Sequence, residues 1–358
     1  MKKKLLALLL ALGLFLCGCD MALVDMDSNT GTTPSTTPVF SQDSETLTVH
    51  YIDVGQADSI LLECEDKFML IDGGNREDSQ LVVSYLEQQG VSELEAVVCT
   101  HAHEDHVGGL PGVLAVYPTK VVYAPTKTYS SKIFDSFVYY VDQQGLEITI
   151  PNPGDAFTLG GTDLTILGPT KSYADPNDTS IVIMAEFGDN RLLFTGDMET
   201  KAENDMLDYW DGQYDWNVDV LKVGHHGSDT SSSYRFVYET DPEYAIISVG
   251  EGNTYDHPKK STLERYADAG IPLFRTDELG HVIVTCDGTN IAVTWNNQSA
   301  QPSEIETSAP TSYVGNKNSK KFHTPDCGSL PGEKNWVDFD SSQEAIDAGY
   351  EPCGNCMG

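Results

Sequence analysis

The chain has 358 residues, with 21 basic and 55 acidic side chains and a formal net charge of −34. That length suits one large domain plus a small one. The charge argues against a basic groove that grips nucleic acid by counterion release, and it suits solubility outside the cell.

In chain order, MKKKLLALLLALGLFLCGC comes first. Three lysines precede an apolar core of about a dozen residues, too short for a comfortable membrane span. Leu16-Cys17-Gly18-Cys19 resembles a bacterial lipobox, which implies a signal peptide over 1–19 and a lipid on Cys19. Ordinary secretion and an uncleaved anchor are the alternatives. The expected location is the outer face of a bacterial cell membrane, with the membrane held through the lipid. Residues 20–45 then read as a flexible linker, because SNTGTTPSTTPVFSQDSE offers almost nothing apolar to bury.

From residue 46 the pattern changes. LTVHYIDV, DSILLEC and KFMLIDGG read as strands separated by turns. LVVSYLEQQG reads as a helix stopped by Gly90, and 127–144 as another stopped by Gly145. Strands are expected at 96–100, 163–167, 181–187, 191–195, 217–223, 244–249, 273–275, 281–286 and 291–295. SSSYRFVYE and STLERYADAG read as helices. Two groups of strands, each with helices, predict an α/β fold of two sheets face to face, covered outside by helices. Residues 296–312 form a second polar linker. Cys64, Cys99 and Cys286 lie in strand-like contexts and read as core packing.

The densest chemistry is THAHEDHVGG at 100–109, which gathers three of the nine histidines and two carboxylates between His101 and His106. Neutral imidazole and carboxylate are both good ligands for zinc, manganese or iron, so a metal explains the cluster better than a solvated loop does. His101 and His103 alternate by two, while Asp105 and His106 fall past them on the turn, an arrangement that can serve two adjacent metals. Asp197 in FTGDM offers a bridging carboxylate, and His225 and His226 in VGHHGS offer a last ligand. All follow strands, where an α/β fold presents its sites. A serine nucleophile has no support, because no serine sits in a nucleophile elbow.

HxHxDH, a later GD after a strand and a late histidine resemble the metallo-β-lactamase fold hydrolases. DVGQADS, NDTSIVI, LLFTGDM, LKVGHHGS, NTYDHP and RTDELGHV sharpen this to the hydrolase domain of ComEC-type competence proteins, in order over about 250 residues. The resemblance implies an αββα sandwich and a hydrolase domain over 46–295. It implies two divalent metals, zinc or manganese, held by His101, His103, Asp105, His106 and Asp197 with one or both of His225 and His226. Asp72 in LIDGG matches an aspartate that orients the ligand loop. The sequence departs from the wider family in having no histidine between 106 and 225, where Asn177 and Ser180 of NDTS stand instead. This leaves the His101/His103 metal short of one protein ligand. Ala57 stands where such proteins usually carry glycine.

Other residues keep two readings. Asp53, Gln56, Asp58 and Ser59 line a pocket or cap a turn. His257 faces the pocket or caps a helix, and Ser228 contacts substrate or makes a Gly-Ser turn. His50 and His281 read as strand packing or surface groups.

At the far end, His323-x3-Cys327 and Cys353-x2-Cys356 make a four-ligand zinc pattern. The stretch 313–358 resembles the metal-binding module of Ada-type DNA-repair methyltransferases, with His323 in place of one ligand cysteine. That replacement puts methyl-accepting chemistry in doubt and favours one structural zinc. Four Lys against seven Asp/Glu leave the module at about −3, little help in gripping DNA.

The function expected is a tethered, metal-dependent phosphodiesterase or nuclease that attacks with a metal-bound hydroxide. Asp105 or the spare histidine of the 225/226 pair would shuttle the proton. DNA or RNA would bind weakly. The alternatives are a binding module of the same fold without chemistry, a choline-phosphate esterase, and a β-lactamase, which the flanking motifs disfavour.

Overall fold

The computed structural model describes residues 45–303, 312–354 and 356–357. The expected signal peptide and lipid site at Cys19, the expected linker up to residue 44 and residues 304–311 of the second expected linker lie outside the described residues. Among the described residues, no helix is long and apolar enough to cross a membrane.

The strands in chain order are β1 (Leu47–Tyr51), β2 (Ile60–Cys64), β3 (Lys67–Ile71), β4 (Leu94–Val98), β5 (Thr119–Tyr123), β6 (Ile148–Thr149), β7 (Ala156–Leu159), β8 (Thr162–Gly168), β9 (Val182–Phe187), β10 (Asn190–Phe194), β11 (Val220–Lys222), β12 (Tyr244–Ile247), β13 (Leu273–Arg275), β14 (Val282–Cys286) and β15 (Ile291–Trp295). Among the described residues they form two sheets, ordered β15-β14-β1-β2-β3-β4-β5-β6 and β13-β12-β11-β10-β9-β8-β7. Period-two alternation sends Ile60, Leu62, Met69, Ile71, Leu192 and Phe194 into the space between the sheets. Leu61, Leu70 and Leu193, one residue out of phase, face the outer helices instead. Both faces are covered, so these strands read as almost unbroken apolar runs.

Helices α1 (Ser79–Gln88), α2 (Glu104–Val107), α3 (Leu110–Val116) and α4 (Lys132–Gln143) belong to the first sheet's side. Helices α5 (Thr200–Tyr209), α6 (Tyr234–Thr240) and α7 (Lys260–Asp268) cover the second. The result is the α/β, αββα sandwich expected from the sequence. Helical crossovers make β3–β4–β5 parallel, and likewise β10–β11–β12–β13, so both sheets bring C-terminal strand ends to one edge.

Several local expectations shift. The helix expected at 127–144 begins at Lys132, because Ser131 Oγ accepts the Phe134 N–H at 3.2 Å and caps it. The strand expected at 217–223 shortens to Val220–Lys222, and α3, α5 and β5 carried no expectation. α5 is masked in the sequence by its polar composition, TKAENDMLDY, of which Ala202, Met206 and Leu207 are buried. Cys64, Cys99 and Cys286 are buried free thiols.

The C-terminal segment folds as a sheet of β16 (Tyr313–Asn316), β17 (Lys321–His323), β18 (Trp336–Phe339) and β19 (Glu351–Pro352) with helix α8 (Ser342–Asp347). It is docked, not merely tethered. Tyr234 and Tyr238 of α6 join Tyr313, Phe322 and Phe339 in one apolar cluster. The Asp268 carboxylate at the end of α7 accepts the hydroxyls of Tyr313 at 2.9 Å, Tyr238 at 3.2 Å and Ser342.

The glycines after the histidine cluster have a steric cause. Gly108 and Gly109 lie backbone to backbone against 73–76, with Gly73 N–H donating to the His106 carbonyl at 2.8 Å and Gly109 N–H to the Gly74 carbonyl at 3.1 Å. A Cβ on Gly109 would stand 2.0 Å from the Gly73 oxygen. No rotamer relieves a clash with backbone, so Gly109→Ala is expected to cost about 3 kcal/mol. Its denaturation midpoint should fall at unchanged m-value. An unchanged midpoint would refute the close approach.

Candidate metal centre

The site is assembled at the shared edge of the two sheets. Asp72 follows β3, His101 to His106 follow β4, Asp197 follows β10, and His225 and His226 follow β11. Asp105, His106, Asp197 and His226 each place a ligand atom within 4.8 Å of the others.

The tautomers follow from the partners. His106 Nδ1 lies 2.8 Å from Asp72 Oδ2, an acceptor, so Nδ1 carries the proton and Nε2 presents its lone pair. Asp72 is itself held by the Thr100 N–H at 2.8 Å and the Thr100 hydroxyl at 2.6 Å. His226 Nδ1 donates to the Ser248 carbonyl at 3.0 Å, which frees its Nε2 in the same way. These two Nε2 atoms and Asp197 Oδ1 are buried with no hydrogen-bond partner. Buried polar atoms are rarely left so. His106 Nε2 stands 3.2 Å from Asp197 Oδ1, and His226 Nε2 stands 3.3 Å from Asp105 Oδ2.

The electrostatics agree. Burial alone would raise the Asp197 and Asp105 carboxyls, yet the neighbouring histidines hold both well below the usual range. Burial would lower His226, but Asp197, Asp58 and Asp105 push it up to about 10, so without a cation its Nε2 keeps a proton that a bound metal would displace. Carboxylates crowded this closely call for positive charge, and a divalent cation supplies it. The donor set, the orphaned atoms and the charge therefore fit a metal. His101 and His103 form a second, looser group. Their Nε2 and Nδ1 are 3.0 Å apart, and His101 Nε2 is 3.9 Å from Asp197 Oδ2. Ser180, in the stretch that lacks a further histidine, places its Oγ 3.5 Å from His101 Nδ1, the nitrogen turned away from Asp197, and accepts the Asp197 N–H at 3.0 Å.

The two adjacent histidines separate because both take left-handed backbone, with φ of 48° and 53°. His226 turns inward. His225 lies at the cleft, its Nδ1 3.2 Å from Glu199 Oε1 and 3.2 Å from Thr230 Oγ1, with Asn177 Nδ2 at 3.5 Å, and its Nε2 stands 3.7 Å from Asp197 Oδ2, within reach of the same carboxylate as His101. Such backbone costs of order 1–3 kcal/mol per residue and tends to persist where function needs it.

The cleft has a volume of about 890 Å³ and is lined by Asp53, Gln56, His103, Asp105, His225 and His257, among others. Gln56 Nε2 is 3.5 Å from His257 Nδ1, and burial followed by His225 pushes His257 down to about 4. Asp58 does not line it. It is buried beneath the site, where burial would raise its carboxyl but Lys222 and then His226 pull it down to about 2. Ser228 is buried in a turn, its Oγ 2.9 Å from Thr230 Oγ1. Ser59 donates to the Asp72 carbonyl at 3.2 Å. His281, expected to pack or face solvent, packs against Tyr85 and has a further role. It lies just before β14, and its Nδ1 accepts the Asp53 N–H at 2.8 Å, fixing the cleft wall. His50, expected to pack or face solvent, packs against Tyr85. Glu199, Lys222 and Thr100 carried no expectation. The available signals were a carboxylate two residues past Asp197 and a lysine inside an apolar strand.

In the C-terminal segment, His323, Cys327, Cys353 and Cys356 place ligand atoms within 4.8 Å of one another. Their spacing and chemistry fit one tetrahedral zinc.

Residues 52–251 match the metallo-beta-lactamase superfamily, and residues 306–357 match the metal binding domain of Ada. The chain is 28% identical over 264 residues to ComE operon protein 3 of Bacillus subtilis, covering 68% of this chain and 33% of that protein. It is 32% identical over 232 residues to competence protein ComA of Neisseria gonorrhoeae, covering 64% of this chain and 30% of that one. The matched region thus spans about a third of these relatives' length. Metallo-beta-lactamase folds are generally those of metal-dependent hydrolases. With more than half of its length matched and the sandwich formed as that fold requires, the chain belongs to the metallo-beta-lactamase superfamily and carries an Ada-type zinc-binding module at its C-terminal end.

Proposed function

We propose that the protein is a metal-dependent phosphodiesterase, acting on DNA or RNA with little sequence preference, and held at the outer face of the cell membrane by a lipid on Cys19. The observation that carries the chemistry is the pair of Nε2 atoms, on His106 and His226, aimed at Asp197 without hydrogen-bond partners. The competence relatives favour nucleic acid as the substrate class.

Asp105, His106, Asp197 and His226 would hold one ion, and His101 and His103 with Asp197 a second, zinc or manganese. When bound, such ions acidify water and counter charge on the departing oxygen. Asp72 and the Ser248 carbonyl keep the two imidazoles in the tautomer that ligation needs. Glu199 Oε1 steadies His225 Nδ1, leaving His225 Nε2 at the cleft to pass a proton to the departing oxygen. Gln56 and His257 form the facing wall and orient the substrate.

Asp53, Glu77, Asp78 and Glu104 also line the cleft, with no Lys or Arg among the lining residues. That supports weak binding of polyanions, improved by free divalent ions that screen repulsion. The same rim, with Tyr255 63% exposed, favours a second reading, a choline-phosphate esterase whose cationic head group meets carboxylates and a ring face.

The deciding experiment offers single- and double-stranded DNA, RNA, bis-p-nitrophenyl phosphate, choline-phosphate esters and a chromogenic cephalosporin with zinc or manganese. Phosphodiester cleavage is expected, and Asp197→Ala should remove it, at least 10³-fold, together with bound metal. Cephalosporin turnover alone would overturn the substrate class, and silence from metal-loaded protein would favour a binding module without chemistry.

Chelation should release one zinc from the C-terminal segment and unfold it, as metal affinity there is folding free energy. Loss of zinc with an unchanged near-ultraviolet signal from its aromatic cluster would count against the structural role. For the anchor, Cys19→Ala should move the protein out of the membrane fraction or stall its processing, because acyl chains supply the attachment. Unchanged mass and partitioning would dismiss lipidation.

A further inference from the structure

Lys222 is fully buried, an uncommon place for a lysine. It lies two residues after Val220 on β11, so strand alternation puts it on the same face, between the sheets. Its Nζ is 2.8 Å from Asp58 Oδ2, and it donates to the Val223 carbonyl at 2.8 Å. Asp58 is 1% exposed and comes from the opposite sheet, in the loop between β1 and β2. Its other oxygen, Oδ1, has no hydrogen-bond partner and stands 3.4 Å from His226 Nδ1. Its N–H donates to the Asp105 carbonyl at 3.1 Å, and its carbonyl accepts the Gly74 N–H at 2.7 Å.

A buried ion pair is a poor stability device, since well-packed apolar residues often replace one at no loss. This pair is placed where it touches two candidate ligands that come from different sheets. We propose that the Lys222–Asp58 pair is a positioning device for the metal centre, locking Asp58 so that His226 and Asp105 keep their places across the sheet boundary. The lysine anchors one carboxylate oxygen and thereby aims the other at the ring proton of His226. That proton is also bonded to the Ser248 carbonyl, so the imidazole is steadied from two directions. Partners of this kind beyond the ligands themselves typically matter 10- to 100-fold in metal affinity.

The proposal rests on the metal centre but not on the substrate, so its test reads cobalt binding by the full chain with zinc already held at His323, Cys327, Cys353 and Cys356. Lys222→Met is expected to weaken cobalt binding 10- to 100-fold and to shift the visible d–d bands. It also leaves Asp58 as an uncompensated buried charge, which can unfold the protein. The double variant Asp58→Asn/Lys222→Met removes both charges. It is expected to regain the wild-type denaturation midpoint while affinity stays 10- to 100-fold down and the bands stay shifted. A purely structural pair would restore affinity and spectrum along with stability, and that result overturns the proposal. Failure of both variants to fold overturns it too, assigning the pair to folding alone. Wild-type protein that binds no cobalt would remove the metal centre itself, a failure distinct from the other two.

Discussion

The buried bond between Asp72 and His106 is the contact on which the site depends. It joins the end of β3 to α2 at 2.8 Å, and both partners are almost wholly inaccessible. Forming it requires the chain after β4 to return against the chain after β3 with no side chain between. That is why glycines stand at 73, 108 and 109, and why Thr100 bonds Asp72 through both its N–H and its hydroxyl. With Asp72 occupied on the inside, His106 can only turn its Nε2 toward Asp197 on the other sheet. One contact thus fixes a tautomer, a ring direction and the closeness of the two strand ends.

Charge extends the same logic. Asp58, Asp72, Asp105 and Asp197 lie within a small volume at the sheet edge, and burial of four carboxylates would be prohibitive without compensation. Asp58 has Lys222, Asp72 has Thr100 and His106, and Asp105 and Asp197 have only histidines near them. The two with only histidines beside them line the cleft, and the two with a lysine or threonine partner lie behind it. The division separates groups that could meet a cation from groups that hold those groups in place. Outside the centre the rim stays acidic, so whatever enters gains little from long-range attraction.

The zinc-binding module is tied to this architecture through α6 and α7. α6 follows the segment that carries His225 and His226, and its outer tyrosines form part of the module's core. On the inner side, Glu203 of α5 accepts the N–H groups of Ser232 and Ser233, while Arg265 of α7 donates to the Ser231 and Ser232 carbonyls. The histidine-bearing segment is thereby clamped between rigid helices, one face toward the centre and the other toward the module. A module with so few large apolar side chains gains from both a docking face and a metal.

Much of the protein was legible in its residues. Alternating and unbroken apolar runs specify two covered sheets because burial on one or both faces leaves that pattern whatever the partner strands are. HAHEDH, GDM, GHHGS and the His-Cys, Cys-Cys spacings declare metal chemistry because few other roles gather those residue types at strand ends. The stretch that resembles a lipobox and the polar runs read as linkers are likewise local in character. What only tertiary structure decided is direction and partnership. Two adjacent histidines look equivalent in sequence, yet left-handed backbone buries His226 beneath Asp197 and sets His225 at the cleft beside Glu199. Lys222 looks like a strand lysine until the opposite sheet supplies Asp58, and nothing in the sequence marks that the packed ring of His281 also meets Asp53. α5 is hidden by a polar surface, and the docking of the module depends on a carboxylate, Asp268, that no motif marks. In each case the deciding contact joins residues far apart in the chain, and residue type alone carries no record of which distant atom a side chain will meet.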